Sequence, residues 1–205
     1  MSREMEVYER LSQRGGHKGN LRYYGTVEKG IRLEYAPNGN LRSFQQRQKD
    51  CIDGPQRLKW AAQIAETLDF VHRAGVIHGD LGCHNIFLDD HLNAKLADFA
   101  GSSLDGSEHL VGVTPSHEYP GPALSTQGDI FAFGAVVYEI MTGEPPYAGL
   151  SEAEINSHYK KGEFADTASL GEMGTIIRKC WTGQYAGFAP LAQDLRGAMS
   201  PSSAS

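Results

Sequence analysis

The sequence predicts an α+β protein in which a helix and a β hairpin precede a larger, mostly helical part. Three observations predict it. Between Pro55 and Gly75 the apolar residues Leu58, Ala61, Ile64, Ala65, Leu68 and Val71 recur every three or four positions, the spacing of one helix face. From Ile130 to Met141 the chain is apolar nearly all round, the pattern of a helix enclosed on every side. Before both, LRYYGTV and IRLEYA place β-forming residues on either side of EKG, a hairpin signature.

Taken in order, REMEVYERLSQ sets Met5, Tyr8 and Leu11 at helical spacing, and RGGHKGN breaks that helix with glycines. The hairpin follows, from Tyr23 to Tyr35. APNGNL interrupts its pattern, and Asn38 or Asn40 is placed to cap a short polar helix starting near Leu41, because an Asn oxygen accepts from the free N–H groups of a first turn. The long helix from Pro55 stops at Gly75. VIHGD, NIFLD and AKLADFA are apolar runs too short for helices, so they read as small strands whose loops carry side chains outward. The stretch from Ala100 to Gln127, rich in Gly, Ser, Pro and His, has no periodicity and reads as a long loop of the kind kept for function or left disordered. The enclosed helix opens at Asp129 and ends at Gly143. SEAEINSHYKKG and GEMGTIIRKCW read as further helices, and the tail over 199–205 as disordered.

With 205 residues, 40% of them hydrophobic and 21% charged, the chain is long enough for one sizeable core and has an ordinary soluble composition. A formal charge of −6 argues against an extended basic surface, so no nucleic-acid partner is expected. Cys51, Cys83 and Cys180 are odd in number and far apart, which predicts neither disulfides nor a zinc site. No apolar run reaches the roughly 18 residues of a membrane span, and MSREMEVYER is not a signal peptide. No membrane partner is expected, and a cytoplasmic or nuclear location follows by exclusion.

HGDLGCHN, from His78 to Asn85, places an aspartate five positions ahead of an asparagine. Alone, such a pair is most often a turn, because both side chains bond their own backbone. Its neighbours give it another meaning. HGDLGCHN is similar to the catalytic loop H-R-D-x-x-x-x-N, ADFA to D-F-G, GDIFAFGAVVYEIMTGEPPY to the D-x-W-x-F-G helix and its following loop, and RKCW to a late helix of the larger lobe. In this order the motifs resemble the eukaryotic-type protein kinases from the C helix onward, and EYAPNGNL, DIFAFG and RKCW are similar to small kinase-like proteins of fungi. The resemblance implies a protein-kinase-like fold: a mostly helical C lobe over 37–198 and a partial N lobe over 1–36. That N lobe would hold the C helix and the hairpin, with the glycine-rich loop and the lysine strand absent. Aminoglycoside and choline phosphotransferases share an H-G-D-x-x-x-x-N loop, but the DIFAFGAVVYEI helix and RKCW favour the protein-kinase branch.

By this resemblance ATP and Mg2+ are the expected cofactors, and a protein substrate or binding partner the expected partner. Phosphoryl transfer depends mostly on positioning and charge neutralisation. Asp80 would orient the substrate hydroxyl, Asn85 would ligate one magnesium and Asp98 the metal bridging the phosphates, since hard cations prefer oxygen ligands. Leu33 falls at the gatekeeper, main-chain groups of Glu34 and Ala36 would bond the adenine edge, Asn40 lies near the ribose, and Phe87 would floor the base. Ordinary hairpin and core packing accounts for these positions equally well. Glu4 matches the C-helix glutamate that pairs with the family's lysine, although a Glu in a first helical turn is favourable for dipole reasons alone. Tyr8, His78 and Phe99 match the apolar stack that couples the lobes. Asp129 would bond the catalytic-loop backbone from below, cap its helix, or both.

Several positions depart from the family pattern. Gly79 replaces an arginine and Gly82 a lysine of the catalytic loop, His84 stands at the tyrosine-kinase arginine, Ala100 replaces the glycine of D-F-G, and Glu118 stands in for the glutamate of A-P-E. By the resemblance the expected function is ATP-dependent phosphotransfer to protein hydroxyls. The alternative is a pseudokinase that binds nucleotide or protein, and a small-molecule phosphotransferase ranks third.

Overall fold

A Ser2 hydroxyl that accepts from the Met5 N–H starts helix α1 (Arg3–Gln13), whose Val7, Tyr8 and Leu11 turn inward. This computed structural model describes residues 2–49, 51–107 and 114–199. After α1, β1 (Tyr23–Val27) pairs antiparallel with β2 (Gly30–Leu33) in a register that sets Tyr23 opposite Leu33 and Val27 opposite Gly30. Asn40, and not Asn38, caps α2 (Leu41–Arg47), its Oδ1 accepting from Ser43 N at 2.9 Å. Asn38 instead donates to the Asp89 carbonyl. Asp53 caps α3 (Gly54–Arg73), with Pro55 in the first turn, where its missing N–H leaves nothing unpaired.

Four short strands follow: β3 (Val76–Ile77), β4 (Ile86–Leu88), β5 (Ala94–Leu96) and β6 (Ser103–Leu104). β4 pairs with β5 and β3 with β6, both antiparallel. The helices that complete the larger part are α4 (Thr126–Thr142), α5 (Glu152–Lys160), α6 (Gly171–Trp181) and α7 (Phe188–Met199), with 3-10 turns at Pro115–His117 and Ala168–Leu170. α4 is enclosed, as its composition predicts: Ile130, Phe131, Phe133, Val136, Val137 and Ile140 are all fully buried. It packs against α3 and α6, while α3 also packs on α7.

Three features differ from the sequence reading. α4 begins one turn before Asp129, capped by the Ser125 hydroxyl on Gly128 N, so Asp129 is a helical residue and not a cap. The stretch from Ala100 to Gln127 contains β6 and a 3-10 turn, its residues 108–113 lying outside the described ones. α7 had no counterpart in the reading, and of the tail expected over 199–205 everything from residue 200 lies outside the described residues. The three cysteines are free, and no helix among the described residues is long and apolar enough to cross a membrane.

A buried polar cluster ties α2 to α4. Arg42 donates from Nε and Nη2 to Glu139 at 2.6 and 2.8 Å, and Gln45 donates to the Ile140 carbonyl. His117 lies fully buried beside them. Burial, with the Arg42 charge adding, pushes its imidazole from 6.5 down to about 3, so at neutral pH Arg42 alone balances Glu139. The unfolded chain takes up this proton below 6.5 while the folded chain does not, so stability is lost as pH falls from there towards 3. Urea unfolding at pH 6.5 and 4.5 is expected to differ by about 2 kcal/mol on this account, and His117→Gln should remove that part of the difference.

Candidate active site

The loop from His78 to Asn85 runs from β3, which pairs with β6, to β4, the first strand of the β4–β5 hairpin, and main-chain bonds place its key side chains. Asn85 Nδ2 donates to the Asp80 carbonyl at 2.9 Å and to Asp80 Oδ2 at 3.2 Å. One pair beyond the Ile86–Leu96 register, Ala97 N donates to the Asn85 carbonyl at 3.0 Å, which brings the start of Asp98 alongside Asn85. Asp98 then adopts φ 59°, the left-handed region that a non-glycine residue rarely enters, and its carboxylate is exposed, with Ala100 N 3.4 Å from Oδ1. His78 joins the two segments: Nε2 donates to the Ala97 carbonyl at 3.0 Å, and Nδ1 accepts from Asp80 N at 3.3 Å. Asp80 and Asn85 are thus bonded to each other, and the backbone of Asp98 follows directly on the residue paired with Asn85.

A column of rings runs down to this loop. Tyr23 stacks on Tyr8, Tyr8 meets Phe99 edge-on at 5.2 Å, and Phe99 contacts His78 at 5.2 Å. Beneath it, the buried Asp129 accepts from His78 N at 2.8 Å, Gly79 N at 2.9 Å and His72 Nε2 at 2.7 Å. Burial alone would raise this carboxyl, but the bonds from His72 and Gly79 hold it below the usual carboxylate range. Gly79 has φ +79°, and a Cβ there would come 2.5 Å from the Leu124 side chain, so the arginine of the family pattern would be strained in its backbone and would have to displace Leu124. His84 Nε2 stands 3.9 Å from Asp80 Oδ2.

Glu4 projects from the first turn of α1 and accepts from Phe99 N. Burial, and then the charge of Asp98, push its carboxyl up. No Lys or Arg pairs with Glu4 among the described residues. The charges of Glu4 and Asp98 thus repel at this end of the site.

At the other end Leu33 and Phe87 pack against a small cluster of Leu21, Ala36 and Ala97. This apolar patch is one residue from Asp98 along the chain, so it adjoins the carboxylates. Glu34 is anchored at the rim: its N–H donates to the Arg22 carbonyl and its carboxylate receives Lys95 Nζ at 3.3 Å. Asn40 reaches the patch through a backbone bridge to Phe87, its side chain being committed to capping α2. Sequence reasoning missed Leu21, Ala97 and His72. Ala97 could have been found from the alternation of AKLAD, whereas Leu21 and His72 carry no local signal.

Among the described residues no group of three or more His, Cys, Asp or Glu is spaced to hold a metal. The oxygens on offer are those of Asn85 and Asp98. Two protein ligands suit magnesium, which keeps several waters and takes further oxygens from phosphates.

A family profile described as protein tyrosine and serine/threonine kinase matches residues 3–187. The chain is similar to the serine/threonine-protein kinase PDK1 of Cryptococcus neoformans, with 32% identity over 66% of this chain and 12% of that protein. It is similar to the serine/threonine-protein kinase PKH2 of Candida albicans, with 31% identity over 71% of this chain and 17% of that protein. The megakaryocyte-associated tyrosine-protein kinase of Mus musculus is 27% identical over 78% of this chain and 34% of its own length. The chain thus spans about a third or less of these curated relatives. A profile match over most of its length, on a site where the motif residues meet, places the chain in the protein tyrosine and serine/threonine kinase family.

Proposed function

We propose that the chain binds ATP with magnesium between the apolar patch of Leu33, Ala36 and Phe87 and the oxygens of Asn85 and Asp98. In the protein it represents, the γ-phosphate would pass to a protein hydroxyl oriented by Asp80. The observation that carries this reading is the pair of bonds from Asn85 Nδ2 to Asp80 and from Ala97 N to Asn85, which aligns hydroxyl-orienting and metal-holding groups on one short hairpin. Magnesium, when bound, neutralises the charge of the phosphates. The chain's own part is positional: Asn85 holds the Asp80 carboxylate in place, His78 fixes the segments that carry Asp80 and Asp98, and Phe87 with Ala36 offers a dry surface to a flat base.

The repulsion between Glu4 and Asp98, with no Lys or Arg paired to Glu4 among the described residues, favours a second reading for the chain by itself, a pseudokinase that binds nucleotide without transferring phosphate. A cation would relieve their repulsion, yet the phosphates would find no fixed lysine among the described residues. The match to protein kinases speaks against a small-molecule phosphotransferase. A protein partner in the cytoplasm or nucleus fits the reading, with no role for nucleic acid or membrane.

The test has two parts on the 205-residue chain. ATP with Mg2+ is expected to raise the melting temperature by several degrees, since a ligand that binds only the native state stabilises it by mass action. Labelled phosphate transfer to Ser, Thr and Tyr peptides is expected to stay near background. Absence of any melting shift would overturn nucleotide binding. Robust transfer lost in Asp80→Asn would overturn the binding-only reading.

A further inference from the structure

We propose that Arg10 and Asp105 are positioning residues: their ion pair fixes α1 in register against the segment that begins at Asp98, and so keeps the Glu4 charge near that of Asp98. The consequence for a metal rests on the nucleotide reading, whereas the pair itself does not.

Two rungs join α1 to that segment. At one end Glu4 accepts from Phe99 N, and the Tyr8 ring one turn on meets the Phe99 ring at 5.2 Å. At the other end Arg10 Nη1 and Nη2 donate to the two carboxylate oxygens of Asp105 at 3.1 and 2.8 Å. Glu4 to Arg10 and Phe99 to Asp105 are the same number of residues apart, and the helix covers that span in about 9 Å. The segment has to be folded to match, and Ser102 N turns back onto the Phe99 carbonyl at 3.1 Å.

Most exposed ion pairs contribute little, because two flexible side chains must be ordered to form them. This pair is built in from both sides. Asp105 has φ 51°, a backbone setting rare outside glycine, and its N–H donates to the Gly75 carbonyl at 2.8 Å. Gly75 in turn has φ +81°, and a Cβ there would come 2.5 Å from Asp105 Oδ1, so the carboxylate fills the place of a side chain. Arg10 Nη1 also donates to the Ala74 carbonyl at 3.2 Å, and the Arg10 side chain is only 26% exposed. Parallel bonds from a guanidinium to a carboxylate fix orientation as well as distance. The Arg10 bond holds the Asp105 carboxyl below the usual carboxylate range, so the pair is ionised at neutral pH.

The other anchors of the segment do not involve the helix. Ser102 Oγ donates to the His78 carbonyl at 2.9 Å, and β6 pairs with β3. α1 itself packs chiefly on β1, one strand of a two-stranded sheet. Without the Arg10–Asp105 rung the helix can shift against the segment, and the Glu4 rung at its other end loosens. A divalent ion at Asp98 would then meet one negative charge in place of two, a weaker attraction.

The test is amide hydrogen exchange of the full chain without nucleotide, in the parent, Asp105→Asn, Arg10→Gln and the double variant. Asparagine tolerates the left-handed setting of position 105, so that substitution removes the charge and keeps the turn. The Phe99 amide is expected to exchange at least tenfold faster in each single variant, with no further gain in the double variant, while the Leu68 amide in α3 exchanges as in the parent. A pair with a local role alone would change the Asp105 amide and leave Phe99 as it is. With ATP present, the Mg2+-dependent melting shift should fall by at least half in Asp105→Asn. The proposal is overturned if Phe99 exchange is unchanged, if Leu68 accelerates as much as Phe99, or if the two single effects multiply in the double variant. It is also overturned if Phe99 is released while the melting shift stays whole. Absence of that shift in the parent would instead sink the nucleotide reading and the metal consequence with it, and exchange would still decide the pair.

Discussion

Asp129→Ala is expected to destabilise the fold by about 3–5 kcal/mol, the range for removing one member of a buried charged network, and to lower the melting temperature by about 10 °C for a chain of this length. The carboxylate receives three bonds, from His78 N, Gly79 N and His72 Nε2, all at 2.7–2.9 Å and shielded from water. Alanine leaves two main-chain N–H groups and an imidazole unpaired, and each unpaired donor loses its full solvation. Asp129→Asn retains one acceptor oxygen and should fall between the two. The loss carries a pH signature. Because the folded-state carboxyl lies below its ordinary value of 3.8, its contribution is complete above that pH and disappears as pH falls through the folded value. The gap between parent and Asp129→Ala should thus be full at pH 7 and begin to narrow only below about pH 4. This window lies under the one set by His117, so the two contributions separate in one unfolding series. An unchanged melting temperature for Asp129→Ala at pH 7 would contradict the account.

Asp98→Asn has the largest expected effect on binding. In the proposed site it removes the one formally charged ligand of the two that would hold the metal, so the Mg2+-dependent part of the ATP melting shift should vanish and affinity for ATP with Mg2+ fall at least tenfold. The free protein should melt at the same temperature or slightly higher. Asp98 is exposed, and its charge pushes up the Glu4 carboxyl, so neutralising it relieves a repulsion. That combination, weaker binding without a weaker fold, distinguishes a ligand from a structural residue. A drop in the stability of the free chain equal to the loss of binding would assign Asp98 to the fold instead.

Periodicity made α3 and α4 legible, since both bury a wide face and carry few interruptions. α7 escaped because Pro190 and Gly197 punctuate it, although Phe188, Leu191, Ala192 and Leu195 are buried at helical spacing. Proline is tolerated in a first turn, where no N–H is required, and it therefore does not mark a helix end there. β6 is two residues long and has no periodicity to read; it exists because β3 pairs with it. In the site, Asp80, Asn85 and Asp98 were assigned from the resemblance of HGDLGCHN and ADFA to the family's motifs, since each alone reads as a turn residue. The bonds that join them, Ala97 N to Asn85 across the end of the β4–β5 hairpin and His78 Nε2 to the Ala97 carbonyl, link residues twelve and nineteen positions apart and leave no trace in composition. Asp129 was found but placed at a helix start, because the Ser125 cap four residues earlier sits in a stretch without apolar periodicity.

The central claim is that Asn85 and Asp98 hold one divalent ion together. The direct measurement replaces Mg2+ with paramagnetic Mn2+ in the presence of ATP and follows the amide resonances of the labelled chain. The account predicts that Asn85, Ala97 and Asp98 broaden together at substoichiometric Mn2+, that Gly183 and Ala192 do not, and that Asp98→Asn abolishes the effect. Broadening of Asn85 without Asp98, or broadening spread evenly over the chain, would contradict it.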